Sequence, residues 1–341
     1  MNLPCPSPVK LRLFVRSCLR FLSHGTVVLG SLTFLGLGTA WAQGNYPARA
    51  VTIVVGYPPG GSTDLMARTV GAELSNRLGV PVVIENVGGA GGTIGAQKVT
   101  NAAPDGYTLL VGANNEVAIS RLVTASVKYE MKDFTPLGLI ASQPIVLVAS
   151  QKSGVKNVEQ FISLVKANPG KFSYGSSGVG TALHLAGEMV KEQSGLFMTH
   201  IPYRGVAPLG NDLLGNNIEF GVFVLSSGLP HIKSGKLVAL GTTQAARSAV
   251  TPDIPALAES AKLKGIDISS WFVLMGPARL PEAVATTLRK ALADWLQSPE
   301  LRKKLEDSGS AIAPLNVDMP KFLASETAKY KKIVDFASIR E

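Results

Sequence analysis

The stretch AVTIVVGYPPGGSTDLMARTVGAEL (residues 50–74) sets the pattern for most of the chain. Its apolar run from Ala50 to Tyr57 is typical of a buried strand. The loop PPGGSTD follows and leads into a helix, where Met66, Val70 and Leu74 recur at four-residue spacing as an apolar stripe. A strand, a glycine loop and a helix in this order form the repeating unit of an α/β fold with largely parallel sheets.

The same unit recurs along the sequence. Residues 80–87 are predicted as a strand, GGAGG (88–92) as a glycine loop, 93–101 as a helix and 107–114 as the next strand. A third glycine loop, YGSSGVGTALH (174–184), leads into a helix over 182–194. Further strands are predicted at 144–150, 198–204, 218–225, 236–243 and 271–276, and further helices at 281–297 and 319–337. Loops that follow parallel strands meet at one sheet edge, where we expect a ligand.

The loop PPGGSTD has the chemistry of an anion site. Gly60 and Gly61 allow close approach of the backbone, and the first-turn N–H groups of a helix lack intrahelical partners and carry the positive end of its dipole. The sequence therefore predicts a cradle of carboxylate size. Ser62 and Thr63 have an equally good alternative role, which is to cap the helix.

The first 42 residues have the features of a secretory leader. Four basic residues precede the apolar run TVVLGSLTFLGLGTA, which ends at Ala40-Trp41-Ala42. The run is about 15 residues long, whereas a membrane span needs about 20, so we expect export and cleavage. Both cysteines, Cys5 and Cys18, fall in this leader, and without it the net charge drops from +9 to +5. The remaining positive charge favours anionic ligands.

Several other classes of protein are disfavoured. Basic residues are scattered without interleaved aromatic residues, so we expect no binding of nucleic acid. The loop GGAGGTIG fails the dinucleotide fingerprint because Ile94 stands where a glycine is required, and we expect no cofactor. His184, His200 and His231 lie far apart in the sequence and without acidic partners at ligating spacing, so no metal site is predicted.

A hydrolase is the alternative from another functional class. Ser177 or Thr181 would act as the nucleophile with His184 as the base. The G-x-S-x-G elbow is incomplete, because Val179 occupies the place of its last glycine. His184 has the more ordinary interpretation of a capping or packing residue.

At these loops the chain resembles a known family. The segments YPARAVTIVVGYPPGGSTDLMARTVGAEL, VVIENVGGAGGTIGAQKVTNAAPDGYTLLVG, YGSSGVGTALHLAGE and IPYRGVAPLGNDLLG are similar to the substrate-binding receptors of tripartite tricarboxylate transporters, the Bug family. The resemblance implies a periplasmic type II binding-protein fold, with two α/β lobes around a ligand cleft. Lobe 1 would comprise residues 43–143 and 271–341, and lobe 2 residues 144–270. The resemblance also implies that the protein is a receptor and not an enzyme. We expect it to act as a monomer, to bind a small organic carboxylate and to serve an inner-membrane permease or a sensor.

The predicted ligand contacts come from the three glycine loops and their flanks. They are Tyr57, Pro59, Gly60, Gly61, Ser62, Thr63, Asp64, Gly89, Ala90, Gly91, Gly92, Asn114, Ser176, Ser177, Gly178, Gly180, Thr181, His184, Tyr203, Arg204 and Phe223. Arg204 is a candidate for the cleft rim. At Phe223-Val224 the chain departs from the family, whose members usually carry an Asp-Asn pair there. Since neither residue can pair with an ammonium group, we expect a ligand with an apolar or aromatic body instead of a free amino acid, unless Phe223 simply packs in the core.

Overall fold

A computed structural model of the chain describes residues 46–339, and the predicted leader over residues 1–42 lies outside them. The strands are β1 (Val51–Val55), β2 (Val82–Asn86), β3 (Thr108–Ala113), β4 (Phe134–Ser150), β5 (Ser173–Ser176), β6 (Thr199–Pro202), β7 (Phe220–Val224), β8 (Leu237–Thr242), β9 (Ser269–Pro277) and β10 (Ala311–Ile312). The helices are α1 (Ser62–Leu78), α2 (Thr93–Thr100), α3 (Ser120–Val123), α4 (Val158–Ala167), α5 (Ala182–Ser194), α6 (Val206–Leu214), α7 (Leu225–Lys233), α8 (Glu282–Leu296), α9 (Pro299–Asp307) and α10 (Met319–Phe336). None of the helices between residues 46 and 339 is long and apolar enough to cross a lipid bilayer.

The strands follow the order β2-β1-β3-β9-β4-β7-β5-β6, and β8 and β10 also pair with β4. The pairs β1–β2, β1–β3, β5–β6 and β5–β7 are parallel, whereas β4 and β9 run antiparallel to their neighbours. The predicted α/β fold is therefore confirmed, with antiparallel strands at its centre.

One long strand joins the two lobes. Residues 134–144 of β4 pair with β9, and residues 145–150 pair with β7 and β8. The predicted strand over 144–150 is thus only the second part of a 17-residue strand. We call the part of the sheet with β1, β2, β3, β9 and β10 the first lobe and the part with β5 to β8 the second lobe. The lobe boundaries along the sequence stay predictions.

The predicted apolar stripe of α1 is buried. Met66, Val70 and Leu74 are at most 3% exposed, while Leu78 at the helix end is partly buried. Gly71 on the same helix faces Ile84 of β2, and a Cβ at this position would lie 2.9 Å from the Ile84 side chain. This close packing holds α1 against the sheet, so that its N-terminus is fixed at the carboxyl end of β1.

Candidate functional site

The starts of two helices, one from each lobe, meet at a small cavity. In this inner cavity, the space that the centre of a water molecule can occupy has a volume of about 30 Å³. This is room for a group the size of a carboxylate or a few waters. Its lining residues are Tyr57, Gly61, Ser62, Thr63, Ala113, Asn115, Ser177, Ala182, Leu183, Val206, Val224 and Ser270.

At the first-lobe side, α1 begins directly at the cavity. Its first residues are Ser62 and Thr63, both buried, and the preceding Gly61 supplies no side-chain cap. The first-turn N–H groups are therefore available to a ligand, together with two hydroxyl groups. The cleft is narrow here, because a Cβ on Gly61 would lie 3.4 Å from the Val206 side chain of the second lobe.

Asp64, the third residue of α1, is turned toward its own lobe. Its carboxylate accepts hydrogen bonds from Gly60 N, Arg68 Nε and Asn86 Nδ2, each at 2.9 Å. Burial opposes ionisation of Asp64, but these hydrogen bonds outweigh it and lower its pKa. Asp64 does not line the cavity, and neither do Pro59 and Gly60, which are exposed. The predicted loop thus contributes Gly61, Ser62 and Thr63 to the inner cavity, next to Tyr57 at the end of the preceding segment, while Asp64 shapes the turn.

At the second-lobe side, α5 is capped by its own loop. The Thr181 hydroxyl accepts from His184 N at 3.3 Å and donates to Gly178 O at 2.8 Å. Ser177 lines the cavity, and its hydroxyl donates to Thr181 Oγ1 at 3.2 Å. Thr181 is fully buried and lies behind Ser177 instead of facing the cavity.

His184 is not placed as a base for Ser177. Its Nδ1 accepts from Gly180 N at 3.1 Å, and its Nε2 lies 3.8 Å from Glu188 Oε1. The His184 ring stacks on that of His200 at 3.9 Å between centroids. No finding supports the hydrolase alternative.

Ser176 also lies apart from the cavity. Its Oγ is fully buried and 2.7 Å from Nε2 of His200. Burial lowers the pKa of His200 to about 3, with His184 and Lys191 adding to the effect. The neutral imidazole and Ser176 therefore form part of the packing of the second lobe.

Asn115 connects the two lobes across the cavity, a role that the sequence did not reveal. Its Oδ1 accepts from Ala182 N at 2.6 Å, and its Nδ2 donates to the Tyr57 hydroxyl at 2.7 Å. The predicted contact, Asn114, is instead fully buried and donates to Ser269 O and Tyr330 Oη. Asn115 opens a π-helical turn (Asn115–Ile119), a feature that often occurs at functional sites.

Glu116 lies behind the cavity wall and was also missed. Its side chain is fully buried, with Oε1 accepting from Ala113 N at 2.9 Å and Oε2 3.3 Å from the Tyr57 hydroxyl. Burial raises the pKa of Glu116 to about 7, against the N–H groups of Ala113 and of Glu116 itself, which stabilise the charged form. A buried carboxyl group thus lies next to the cavity.

A second cavity continues the cleft outward from Tyr57 and Ser177, which line both. This outer cavity has a volume of about 200 Å³, measured in the same way. Its lining includes the predicted residues Gly89, Ala90, Gly91, Gly92, Gly178, Tyr203 and Arg204. Arg204 is exposed and is the one charged residue of this lining among the described residues, as expected for a residue at the cleft rim. The Tyr203 hydroxyl donates to Asp212 at 2.7 Å, which fixes the tyrosine at the mouth.

Phe223 does not reach the cleft. Phe223 is 1% exposed. Its ring packs against Gly210 of α6, where an added Cβ would lie 3.8 Å from the ring. Its neighbour Val224 points the other way, as alternation along a strand requires, and lines the inner cavity. The expected apolar wall is therefore made by Val224, Val206 and Leu183 instead of Phe223.

The inner cavity contains no charged side chain among the described residues. Nor do residues 46–339 bring together three histidine, cysteine or acidic side chains in a way that could hold a metal ion. The arrangement provides backbone N–H groups, hydroxyl groups and an amide against an apolar wall. Such a set of donors can bind a carboxylate by hydrogen bonds without a cationic side chain to neutralise its charge.

Known proteins resemble this chain over most of its length. Residues 66–338 match the family model described as the tripartite tricarboxylate transporter family receptor. The protein BugT of Bordetella pertussis is 31% identical over 302 residues, which cover 88% of this chain and 92% of BugT.

Two solved structures from Rhodopseudomonas palustris are similar over most of the chain. Rpa4515 with adipate is 32% identical, with a TM-score of 0.83 and coverage of 86% of this chain and 99% of that one. MatC (Rpa3494) with bound malate is 28% identical, with a TM-score of 0.79 and coverage of 85% and 100%.

Proposed function

Because the chain belongs to the tripartite tricarboxylate transporter receptor family, we propose that it is a periplasmic receptor that captures a small organic carboxylate between its two lobes. It would reach the periplasm through the leader over residues 1–42 and deliver its ligand, as a monomer, to the membrane components of a transporter. The observation that carries the proposal is the uncharged inner cavity between the starts of α1 and α5.

In this proposal one carboxylate lies in the inner cavity. Ser62, Thr63 and Ser177 supply hydroxyl groups, and the first turn of α1 supplies N–H groups. Each hydrogen bond to an ionised group contributes about 1.5–3 kcal/mol. Micromolar affinity corresponds to a binding free energy of about 8 kcal/mol. Part of the sum of the hydrogen bonds offsets the cost of association. Several such bonds therefore suffice for micromolar affinity without a buried cation.

The remainder of the ligand would extend into the outer cavity. A dicarboxylate such as the adipate of Rpa4515 would direct its second carboxylate toward Arg204 at the rim. The carbon chain between the two groups would pass Tyr57, which lines both cavities.

The lining also defines what the receptor rejects. No acidic side chain lines either cavity among the described residues, so an amino group on the ligand has no partner of opposite charge. An unpaired buried ammonium is costly. We therefore propose that the ligand is a carboxylate with an apolar body and without an amino group.

Adipate and 2-aminoadipate test this proposal as a matched pair, because they differ only by the amino group. Isothermal titration calorimetry should show micromolar binding of adipate and at least about a hundredfold weaker binding of 2-aminoadipate, on the scale of an unpaired buried charge. A thermal-shift screen of malate, benzoate and longer dicarboxylates would extend the series, since ligand at 100 times its Kd stabilises the native state by about 2.7 kcal/mol. Preferential binding of the amino acid would refute the proposed ligand class, and no response to any carboxylate would refute the proposed function.

A further inference from the structure

The carboxyl group of Glu116 lies one layer behind the residues that form the inner cavity. Its two oxygens contact Ala113 N and the Tyr57 hydroxyl, and both of these residues line the cavity. The main chain of Glu116 is held in place as well, since its carbonyl accepts from the Tyr129 hydroxyl at 2.6 Å. An acidic group is thus fixed next to a site whose ligand is an anion.

The hydrogen bonds around Tyr57 determine which groups carry protons. Ala182 N–H can only donate, so Asn115 must accept with Oδ1 and donate with Nδ2 to the Tyr57 oxygen. Gly91 O can only accept, so the single proton of Tyr57 is directed to it at 2.6 Å.

This leaves Glu116 Oε2, 3.3 Å from the Tyr57 oxygen, without a proton from Tyr57. A carboxylate there would place two lone pairs against each other in a buried site. A neutral carboxylic acid instead donates its proton to Tyr57 and completes the network.

The surroundings of Glu116 provide no compensating cation. Among the described residues Glu116 forms no ion pair, and the titratable groups that face it are the hydroxyl groups of Tyr57 and Tyr129. Arg121, on the following helix α3, is 40% exposed and lies 3.7 Å from Glu130.

The helices packed against the π-helical turn carry charges that point elsewhere. Lys98 of α2 pairs with Glu85 and is 43% exposed. On α10, Lys329 lies 3.5 Å from Asp267, and the uncharged Tyr330 accepts a hydrogen bond from Asn114. Gly92, in the adjacent loop, has no side chain, and a Cβ there would lie 3.0 Å from both Glu116 Oε2 and the Tyr57 hydroxyl. The glycine therefore admits this contact, at a backbone φ of 97°.

We propose that Glu116 is the proton-carrying residue of the ligand site, neutral when an organic anion occupies the inner cavity, so that anion capture takes up a proton at its carboxyl group. The proposal rests on the proposed function, since it assigns a role to a residue beside the same cavity. By linkage, a proton taken up on binding makes the anion bind more tightly at lower pH. Glu116 would thereby make affinity depend on the pH of the periplasm, which follows that of the surroundings.

The expected change of Kd with pH follows from the fraction of the protein in which Glu116 is neutral. Burial raises the pKa of Glu116 to about 7. The neutral fraction then falls about tenfold between pH 6 and pH 8, and the apparent Kd rises by the same factor. At pH 7 the binding of one anion would take up about half a proton.

The test is calorimetry with adipate as the probe, at pH 6, 7 and 8, in two buffers of different ionisation enthalpy. For the wild-type protein we expect Kd to rise about tenfold from pH 6 to pH 8, with uptake of about half a proton at pH 7. Glu116→Gln should bind adipate with a Kd that changes less than about twofold over this range, because its side chain does not titrate. Glu130→Gln is the matched control: its side chain is 47% exposed, and the variant should keep the wild-type pH dependence.

A second readout is independent of ligand and of the variant. In protein labelled with carbon-13 at the glutamate carboxyl group, one resonance should titrate with a midpoint above about pH 6, far from the ordinary value for Glu. If Glu116→Gln does not fold, proton uptake by the wild-type protein and this midpoint still test whether Glu116 takes up a proton when the anion binds.

A Kd that is equal at pH 6 and pH 8, or loss of the pH dependence in Glu130→Gln instead of Glu116→Gln, would overturn the role of Glu116. So would the absence of any glutamate with a raised midpoint. If neither adipate nor any other carboxylate of the thermal-shift screen binds at any pH while the raised midpoint is present, the proposed function is refuted and the neutral state of Glu116 stands.

Discussion

Replacing Glu116 by glutamine should change the way in which stability depends on pH. The native protein holds the proton of Glu116 more tightly than the unfolded chain does, because burial raises the pKa of Glu116 from 4.5 to about 7. The native state then binds more protons than the unfolded state between these two pH values. Stability from this group is fully present below pH 4.5 and is lost as pH rises through 7.

The magnitude follows from the difference in pKa of Glu116 between the native and unfolded states. One pKa unit corresponds to about 1.4 kcal/mol, so the full loss is about 3 kcal/mol, and most of it falls between pH 5 and pH 8. Glu116→Gln keeps a neutral group of similar shape in the same place and has no proton to lose. The difference in unfolding free energy between the wild type and the variant should therefore change by about 2–3 kcal/mol between pH 5 and pH 8, in favour of the variant at high pH.

Urea denaturation of both proteins at pH 5, 6, 7 and 8 measures this difference directly. All other titrating groups are common to both proteins, so their effects cancel in the comparison. A difference in unfolding free energy that stays constant over the range would show that Glu116 is ionised in the native protein at pH 5 and would refute the reasoning. Glu130→Gln, the control with an exposed side chain, should show no such pH-dependent difference from the wild type.

The remaining predictions concern the cleft itself. Ser62→Ala should weaken adipate binding about tenfold to a hundredfold in calorimetry, because it removes a donor to an ionised group, whereas Ser75→Ala on the same helix should not, since Ser75 Oγ bonds to Val80 O away from the cavity. Val224→Asp should abolish detectable binding of adipate, because it places a like charge in the inner cavity; retained binding would show that the ligand lies elsewhere. Phe223→Leu should lower the unfolding free energy by about 1 kcal/mol and leave the Kd for adipate unchanged, and a changed Kd would return Phe223 to the ligand site. Arg204→Gln should weaken adipate binding by less than about 1 kcal/mol, and more at low salt than at high salt, as expected for an exposed charge.

Much of the fold and half of the cleft could be predicted from local sequence patterns. The start of α1 was recognisable because two glycines precede Ser62-Thr63-Asp64 and an apolar stripe follows. The helix over 182–194 was predicted with the bounds that the structure shows. These features depend on neighbouring residues only, which a sequence pattern records directly.

The other half of the cleft depends on contacts that no local pattern records. Asn115, not Asn114, faces the cavity because it bonds to Tyr57 and Ala182, which lie 58 and 67 positions away in the sequence. Glu116 was missed for the same reason. Alternation along β7 shows that Phe223 and Val224 face opposite sides, but which side is the core is set by α6 and α7, which pack against Phe223 at Gly210 and Gly228.

A crystal structure with bound adipate would test most directly whether the carboxylate lies between the starts of the two helices. We expect one carboxylate in the inner cavity, within hydrogen-bonding distance of the Ser62 and Ser177 hydroxyl groups and of the first-turn N–H groups of α1, with the second carboxylate directed to Arg204. Both carboxylates in the outer cavity or elsewhere, with the inner cavity empty or filled only by water, would contradict this account.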